Sequence, residues 1–187
     1  PGLKAGIREV VDPKYASSGS LEHKPNTMLY AMDNWYYNAK SSTAYKALAL
    51  NAALAANSKE IYNNKYFKMV RRKTENRGQW GLGMDDYGRL YHNGNGSPAT
   101  GEYLRPGSLL KNPGFSAKMG STKIGGNAVY PARMNPGINR GYMKGMLRMP
   151  SGTLSKFTAA SGSMIYRGDQ FPKEFYGMAL TPEPAGN

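Results

Sequence analysis

Two histidines and a set of arginines are the residues of this sequence best suited to chemistry. His23 follows Glu22 in Ser20-Leu21-Glu22-His23-Lys24-Pro25. A neutral imidazole with a neighbouring carboxylate can act as a general base near neutral pH. The competing use is a loop histidine hydrogen-bonded to backbone. His92 sits in an expected strand after Tyr91 and before Asn93-Gly94-Asn95-Gly96, which suits a structural or exposed ring. The two are not spaced as a local metal site, and no His-Glu-x-x-His run occurs. Arg133, Arg140, Arg148 and Arg167 fall in the C-terminal third, with Arg140 presented by the tight run Asn135-Pro136-Gly137-Ile138-Asn139-Arg140-Gly141. Guanidinium groups bind carboxylates or phosphates bidentately, although in a chain of net charge +13 each also reads as plain surface charge. Asp33, Asp85 and Asp86 occupy expected turns, where carboxylates cap backbone N–H groups. No Asp-x-Asp-x-Asp-Gly frame points to calcium.

The elements that must position these residues are short strands. Asn26 to Asn38 (NTMLYAMDNWYYN) reads as a hairpin, with strands Thr27–Ala31 and Trp35–Asn38 hinged on Asp33-Asn34. Trp80 to Asn93 (WGLGMDDYGRLYHN) repeats it, with Gly81–Met84 and Arg89–Asn93 flanking Asp85-Asp86-Tyr87-Gly88. The shared frame opens on Met32 and Met84, 52 positions apart, and Phe175–Thr181 is a weaker third relative. Repeats of about 40–50 residues with short strands and tight turns are the sign of a β-propeller; chance recurrence of Met-Asp-x-aromatic is the alternative. At roughly 45 residues per blade, the chain makes about four blades. Thr43 to Asn57 (TAYKALALNAALAAN) has high helix propensity and is expected to form a short helical insert. Lys65–Lys73 reads as a strand with one charged face. From Gly94 to Gly126 glycine and proline are dense, and this stretch is expected to be a long ordered connection carrying function.

Composition narrows the classes. With 40% hydrophobic residues, 14 Tyr and 11 Met, the chain is not disordered in composition, and 23 Gly with 12 Pro argue against an all-α bundle. The absence of cysteine removes disulfides, thiolate metal sites, a Cys nucleophile and covalent haem attachment in this chain. The longest apolar run, Ala47 to Ala56, is about ten residues and falls short of the ~18–20 needed to span a bilayer. No signal peptide is recognisable, so the chain is expected to be processed or part of something longer. The charge of +13 implies an acidic partner. Nucleotide loops and RNP1-type or paired Cys/His motifs are absent, so nucleic acid is not the expected one.

Several runs together carry a family resemblance. They are Leu21-Glu22-His23-Lys24-Pro25-Asn26 with Met32-Asp33-Asn34-Trp35-Tyr36-Tyr37, and Arg77-Gly78-Gln79-Trp80-Gly81 with Met84-Asp85-Asp86-Tyr87-Gly88-Arg89-Leu90-Tyr91. Tyr130-Pro131-Ala132-Arg133, Pro136-Gly137-Ile138-Asn139-Arg140-Gly141-Tyr142, Phe157-Thr158-Ala159-Ala160-Ser161-Gly162, Ile165-Tyr166-Arg167-Gly168-Asp169 and Glu183-Pro184-Ala185-Gly186-Asn187 join them. As a set they resemble the membrane-associated dehydrogenase-like propellers of planctomycetes and verrucomicrobia, which are similar to quinoprotein glucose/sorbosone dehydrogenases. The resemblance implies a six-bladed propeller at the periplasm or cell surface, with a c-type cytochrome domain or subunit as electron acceptor. It implies pyrroloquinoline quinone as cofactor, His23 as the catalytic base, and Arg133 and Arg140 as ligands of the quinone carboxylates. On this reading residues 1–187 are a single propeller region, incomplete at one or both ends, about two blades short of six. The expected function is that of an exported quinone-dependent sugar or alcohol dehydrogenase. The alternative is a non-catalytic subunit of a larger membrane or electron-transfer assembly, docking an acidic partner through its basic surface.

Overall fold

The repeated Met-Asp frame folds as two hairpins, each ordered by its aspartate. The computed structural model describes residues 6, 8–54, 57–112, 114, 120–130 and 140–186. Strands β1 (Asn26–Tyr30) and β2 (Tyr36–Ala39) pair antiparallel. Between them Asp33 Oδ1 accepts the Trp35 N–H (3.3 Å) while Asn34 takes the left-handed conformation (φ 63°) that Asn tolerates. Strands β3 (Thr43–Leu48), β4 (Lys59–Asn63) and β5 (Lys68–Lys73) complete a five-stranded antiparallel sheet in the order β1-β2-β3-β5-β4. Register puts Ala44 opposite Arg72 and Lys46 opposite Val70, so these share one face, while Tyr45 and Arg71 share the other.

The second hairpin starts a second sheet. Strands β6 (Leu82–Met84), β7 (Leu90–Gly94), β8 (Ser97–Glu102) and β9 (Ser121–Lys123) form an antiparallel meander in sequence order. Its turn repeats the first. Asp85 Oδ1 accepts the N–H groups of Tyr87 (3.0 Å) and Arg89 (2.9 Å), and Oδ2 accepts from the Tyr91 hydroxyl (2.9 Å) and Arg89 Nε (2.7 Å). Asp33 Oδ2 likewise accepts from the Tyr37 hydroxyl and from Arg72 Nη2, both at 2.7 Å. Two short hairpins follow: β10 (Leu147–Arg148) with β11 (Thr153–Leu154), and β12 (Met164–Ile165) with β13 (Ala179–Leu180).

One core joins the first two sheets. Ala31, Trp35, Tyr37, Ala39, Ala44 and Val70 of the first pack with Leu82 and Leu90 of the second, all 5% exposed or less. The second sheet in turn abuts β12. A Cβ on Gly83 would lie 3.0 Å from Ile165 N, and one on Gly81 would lie 2.8 Å from Gly162 Cα. At Gly81, with φ 78°, only glycine fits this spacing, while at Gly83 a side chain would force the Ile165 backbone to give. The other face of the first sheet is covered by the N-terminal segment, where Tyr15 donates to Asn38 Oδ1 (2.9 Å) and Asp12 accepts from the Tyr45 hydroxyl (3.0 Å).

Three expectations change. The helical insert is not formed: Thr43–Leu48 is the central strand β3, and no α-helix occurs among the described residues. Helix propensity loses there because Ala44 and Tyr45 are buried between β2 and β5, and tertiary burial outweighs a few tenths of a kcal/mol per residue of intrinsic preference. The glycine-rich stretch after Asn93 is not one long connection, since it supplies β8 and β9 of the second sheet. Pro98 is tolerated in β8 because the pairing with β9 begins only at Thr100. Phe175–Thr181 does not repeat the hairpin turn; it has no aspartate to order one and contributes a 3₁₀ turn and strand β13. The result is a mostly β structure of several antiparallel sheets.

Candidate functional site

Of the histidines and arginines singled out by sequence, the structure describes His23, His92, Arg140, Arg148 and Arg167. His23 ends a short 3₁₀ turn (Leu21–His23) before β1 and is exposed. Its Nδ1 lies 3.2 Å from Gln79 Nε2, a hydrogen-bonding distance. Glu22 is not its hydrogen-bond partner; the Glu22 N–H is held by Ser20 Oγ. Arg140 is exposed, with φ 59°, where its carbonyl accepts the Met143 N–H. Arg133 lies outside the described residues. Arg148 is structural, donating to the carbonyls of Leu154 (2.9 Å) and Val129 (2.7 Å). Arg167 pairs with Asp86 at 2.6 Å. A quinone with several carboxylates would need arginines converging opposite an unencumbered base.

A different constellation forms where the two Met-Asp turns meet. There a cleft of about 450 Å³ is lined by Met32, Asp33, Trp35, Arg72, Arg105 and Ser108, among others. Arg71 and Arg72 are consecutive in a strand, so one of them must face the core. Arg71 takes the outer face and pairs with Asp12 (3.5 Å). Arg72 turns inward, its side chain only 10% exposed, stacked 4.0 Å from the centre of the Trp35 ring and paired with Asp33 at 2.7 Å. Its Nη2 also meets the Tyr37 hydroxyl (2.6 Å). Burial and the bond to Asp33 push the Tyr37 hydroxyl well above the usual phenol range, so it stays a neutral donor. Gly107 closes the cleft with φ 79°, and a Cβ there would come within 3.1 Å of both Arg72 Nη2 and Asp33 Oδ2. The sequence reading missed this site. The signal for it was the Arg71-Arg72 pair in an alternating strand.

A second feature that sequence reasoning missed is a buried ion pair. Arg77, in the segment joining the two sheets, binds Glu102 of β8 through Nε and through Nη2 (3.2 Å), and both side chains are at most 3% exposed. Arg77 Nη1 donates to Thr74 Oγ1 (2.8 Å) and the Glu75 carbonyl (3.0 Å), and the guanidinium lies 4.9 Å from the Tyr37 ring centre. Burial pushes the Glu102 carboxyl up, against the pull of Arg77. His92, half-buried nearby in β7, is pushed down by burial and by the Arg77 charge. This sets it as a neutral structural ring. Among the described residues no group of three His, Asp or Glu side chains is arranged to hold a metal ion. No helix there is long and apolar enough to cross a membrane.

Comparison with known proteins places the chain in one family. The family described as a domain of unknown function, DUF7133, matches residues 4–187. No curated protein and no solved structure matches the chain.

Proposed function

The chain belongs to the DUF7133 family, and from that premise we propose that it is part of a β-propeller that serves a larger exported assembly as a docking subunit for an acidic partner. The propeller reading is supported by sheets that pack one on the next in chain order and by the same aspartate-ordered turn recurring at a blade-like spacing. The docking reading rests on one observation. Residues 40–73, which build most of the first sheet, hold eight Lys and Arg against one acidic residue, Glu60. Of these, Lys59, Lys65 and Lys73 are exposed, and no carboxylate pairs with them among the described residues. The positive charge left after the Lys68–Glu60, Arg71–Asp12 and Arg72–Asp33 pairs steers an oppositely charged protein and fixes its approach. An acidic c-type cytochrome is the partner that the propeller resemblance suggests.

Catalysis by a quinone-dependent dehydrogenase is the competing reading. It needs an unencumbered ring nitrogen on His23, and Nδ1 is hydrogen-bonded to the Gln79 amide. That favours docking. The test is association of the chain with an acidic c-type cytochrome at increasing salt, beside the triple variant Lys59→Glu, Lys65→Glu, Lys73→Glu. Affinity is expected to fall steeply with ionic strength and to vanish in the variant. Association that ignores both salt and charge reversal, or none at low salt, rejects docking. Dye reduction with aldoses after adding the quinone and calcium, abolished by His23→Ala, would restore the enzyme.

A further inference from the structure

The cleft between the Met-Asp turns has the charge and lining of a ligand site, which the docking reading does not use. Its charges nearly cancel. Arg72 is neutralised by Asp33 at 2.7 Å. In the adjoining cleft, which shares Met32, Arg105 and Ser108, Arg89 is neutralised by Asp85 at 2.7 Å and Asp86 by Arg167 at 2.6 Å. Arg105 is left over. It is exposed, and no carboxylate or carbonyl engages its guanidinium among the described residues. Its stem is nonetheless fixed against the second turn, since a Cβ on Gly88 would lie 3.2 Å from Arg105 Cδ. Arg105 and Ser108 both line the cleft, and the Ser108 N–H donates to the Arg105 carbonyl (3.2 Å), so the two residues are held together by one turn. A further unmet donor lies in the wall: Arg72 Nε is buried without a hydrogen-bond partner among the described residues. The rest of the lining is apolar, with Pro106, Met32 (48% exposed) and Leu110 (44% exposed) beside the Trp35 ring.

We propose that this cleft binds a small organic monocarboxylate with an apolar body, its carboxylate on Arg105 and Ser108 and its body along Met32 and Leu110. One uncompensated positive charge matches one negative charge, and a planar guanidinium fork matches a planar carboxylate. A phosphate dianion would leave one charge unmet in a cleft whose remaining carboxylates and arginines are paired. Met32, Pro106 and Leu110 supply the apolar part of the lining, which an apolar body can cover and a simple inorganic anion cannot use.

Benzoate and inorganic phosphate, titrated into the full chain by calorimetry at constant ionic strength, test this. Benzoate is expected to bind, and Arg105→Ala to weaken it by about tenfold or more, as loss of a charge-assisted bond requires. Leu110→Asp, which sets a like charge against the body, is expected to abolish binding while leaving the circular dichroism spectrum unchanged. Both substitutions fall at exposed side chains, so the fold is expected to survive them. The proposal is overturned if benzoate gives no heat at millimolar concentration. It is equally overturned if Arg105→Ala binds benzoate as the parent does, or if phosphate binds as well as benzoate with the same dependence on Arg105.

Discussion

Arg77 and Glu102 are the most deeply buried charges in the described structure, and their pairing decides what either substitution costs. Removing one partner leaves an uncompensated buried charge, so Arg77→Met or Glu102→Gln is expected to lose about 3–5 kcal/mol in urea unfolding. The double variant Arg77→Met, Glu102→Leu should recover much of that loss. Single losses under about 1 kcal/mol would mean that water reaches the pair. His92 carries a pH signature through the same neighbourhood. Its folded pKa is depressed from 6.5 by burial and by Arg77, so the folded chain takes up the proton less readily than the unfolded one. Its contribution to stability is complete above about 6.5 and is lost as pH falls through the lowered folded value. The stability difference between the parent and His92→Asn should therefore shrink on acidification, and a difference flat between neutral pH and pH 5 would contradict the assignment. None of these partners was legible in the sequence. Glu102 lies in a glycine-rich stretch that reads as loop, and only the β7–β8 pairing brings it under Arg77.

At the scale of elements, the two Met-Asp hairpins were legible because their signal is local: an aspartate that caps its own turn needs nothing beyond a few neighbouring residues. The strand β3 was not, because its conformation is imposed by β2 and β5 on either side. Contact between the second sheet and β12 makes a separate demand. Gly83 has no positive φ, and its missing Cβ alone lets the Ile165 backbone approach. Gly83→Ala is expected to cost about 1–3 kcal/mol in thermal or urea unfolding, as overpacking does. Gly94→Ala, where a Cβ meets nothing within 4 Å, should cost at most a few tenths through packing and serves as the control. Equal effects at the two positions would show that β12 does not lie against β6 as described.

For the whole molecule, the shared core of the first two sheets predicts one cooperative unit. In native-state hydrogen exchange, amides of β2, β3, β5 and β7 should exchange together at the highest opening free energy, and those of the two-residue hairpin β10–β11 earlier. Separate exchange of the first and second sheets would break the common core. The sequence alone determined a β-rich chain, the two aspartate turns, the strand content of residues 26–38 and 80–93, and a strongly basic balance; all of these follow from composition or from interactions a few residues long. Only the tertiary structure decided that Thr43–Leu48 is a strand, that Gly94 onward supplies two strands, that His23 is held by Gln79, and that Arg72 and Arg105 meet at a cleft. The β3–β5 and β8–β9 pairings, the His23–Gln79 contact and the Arg72–Arg105 cleft each join residues about twenty or more positions apart. Neither propensity nor spacing along the chain encodes such a meeting, which arises when one sheet buries its apolar face against the next.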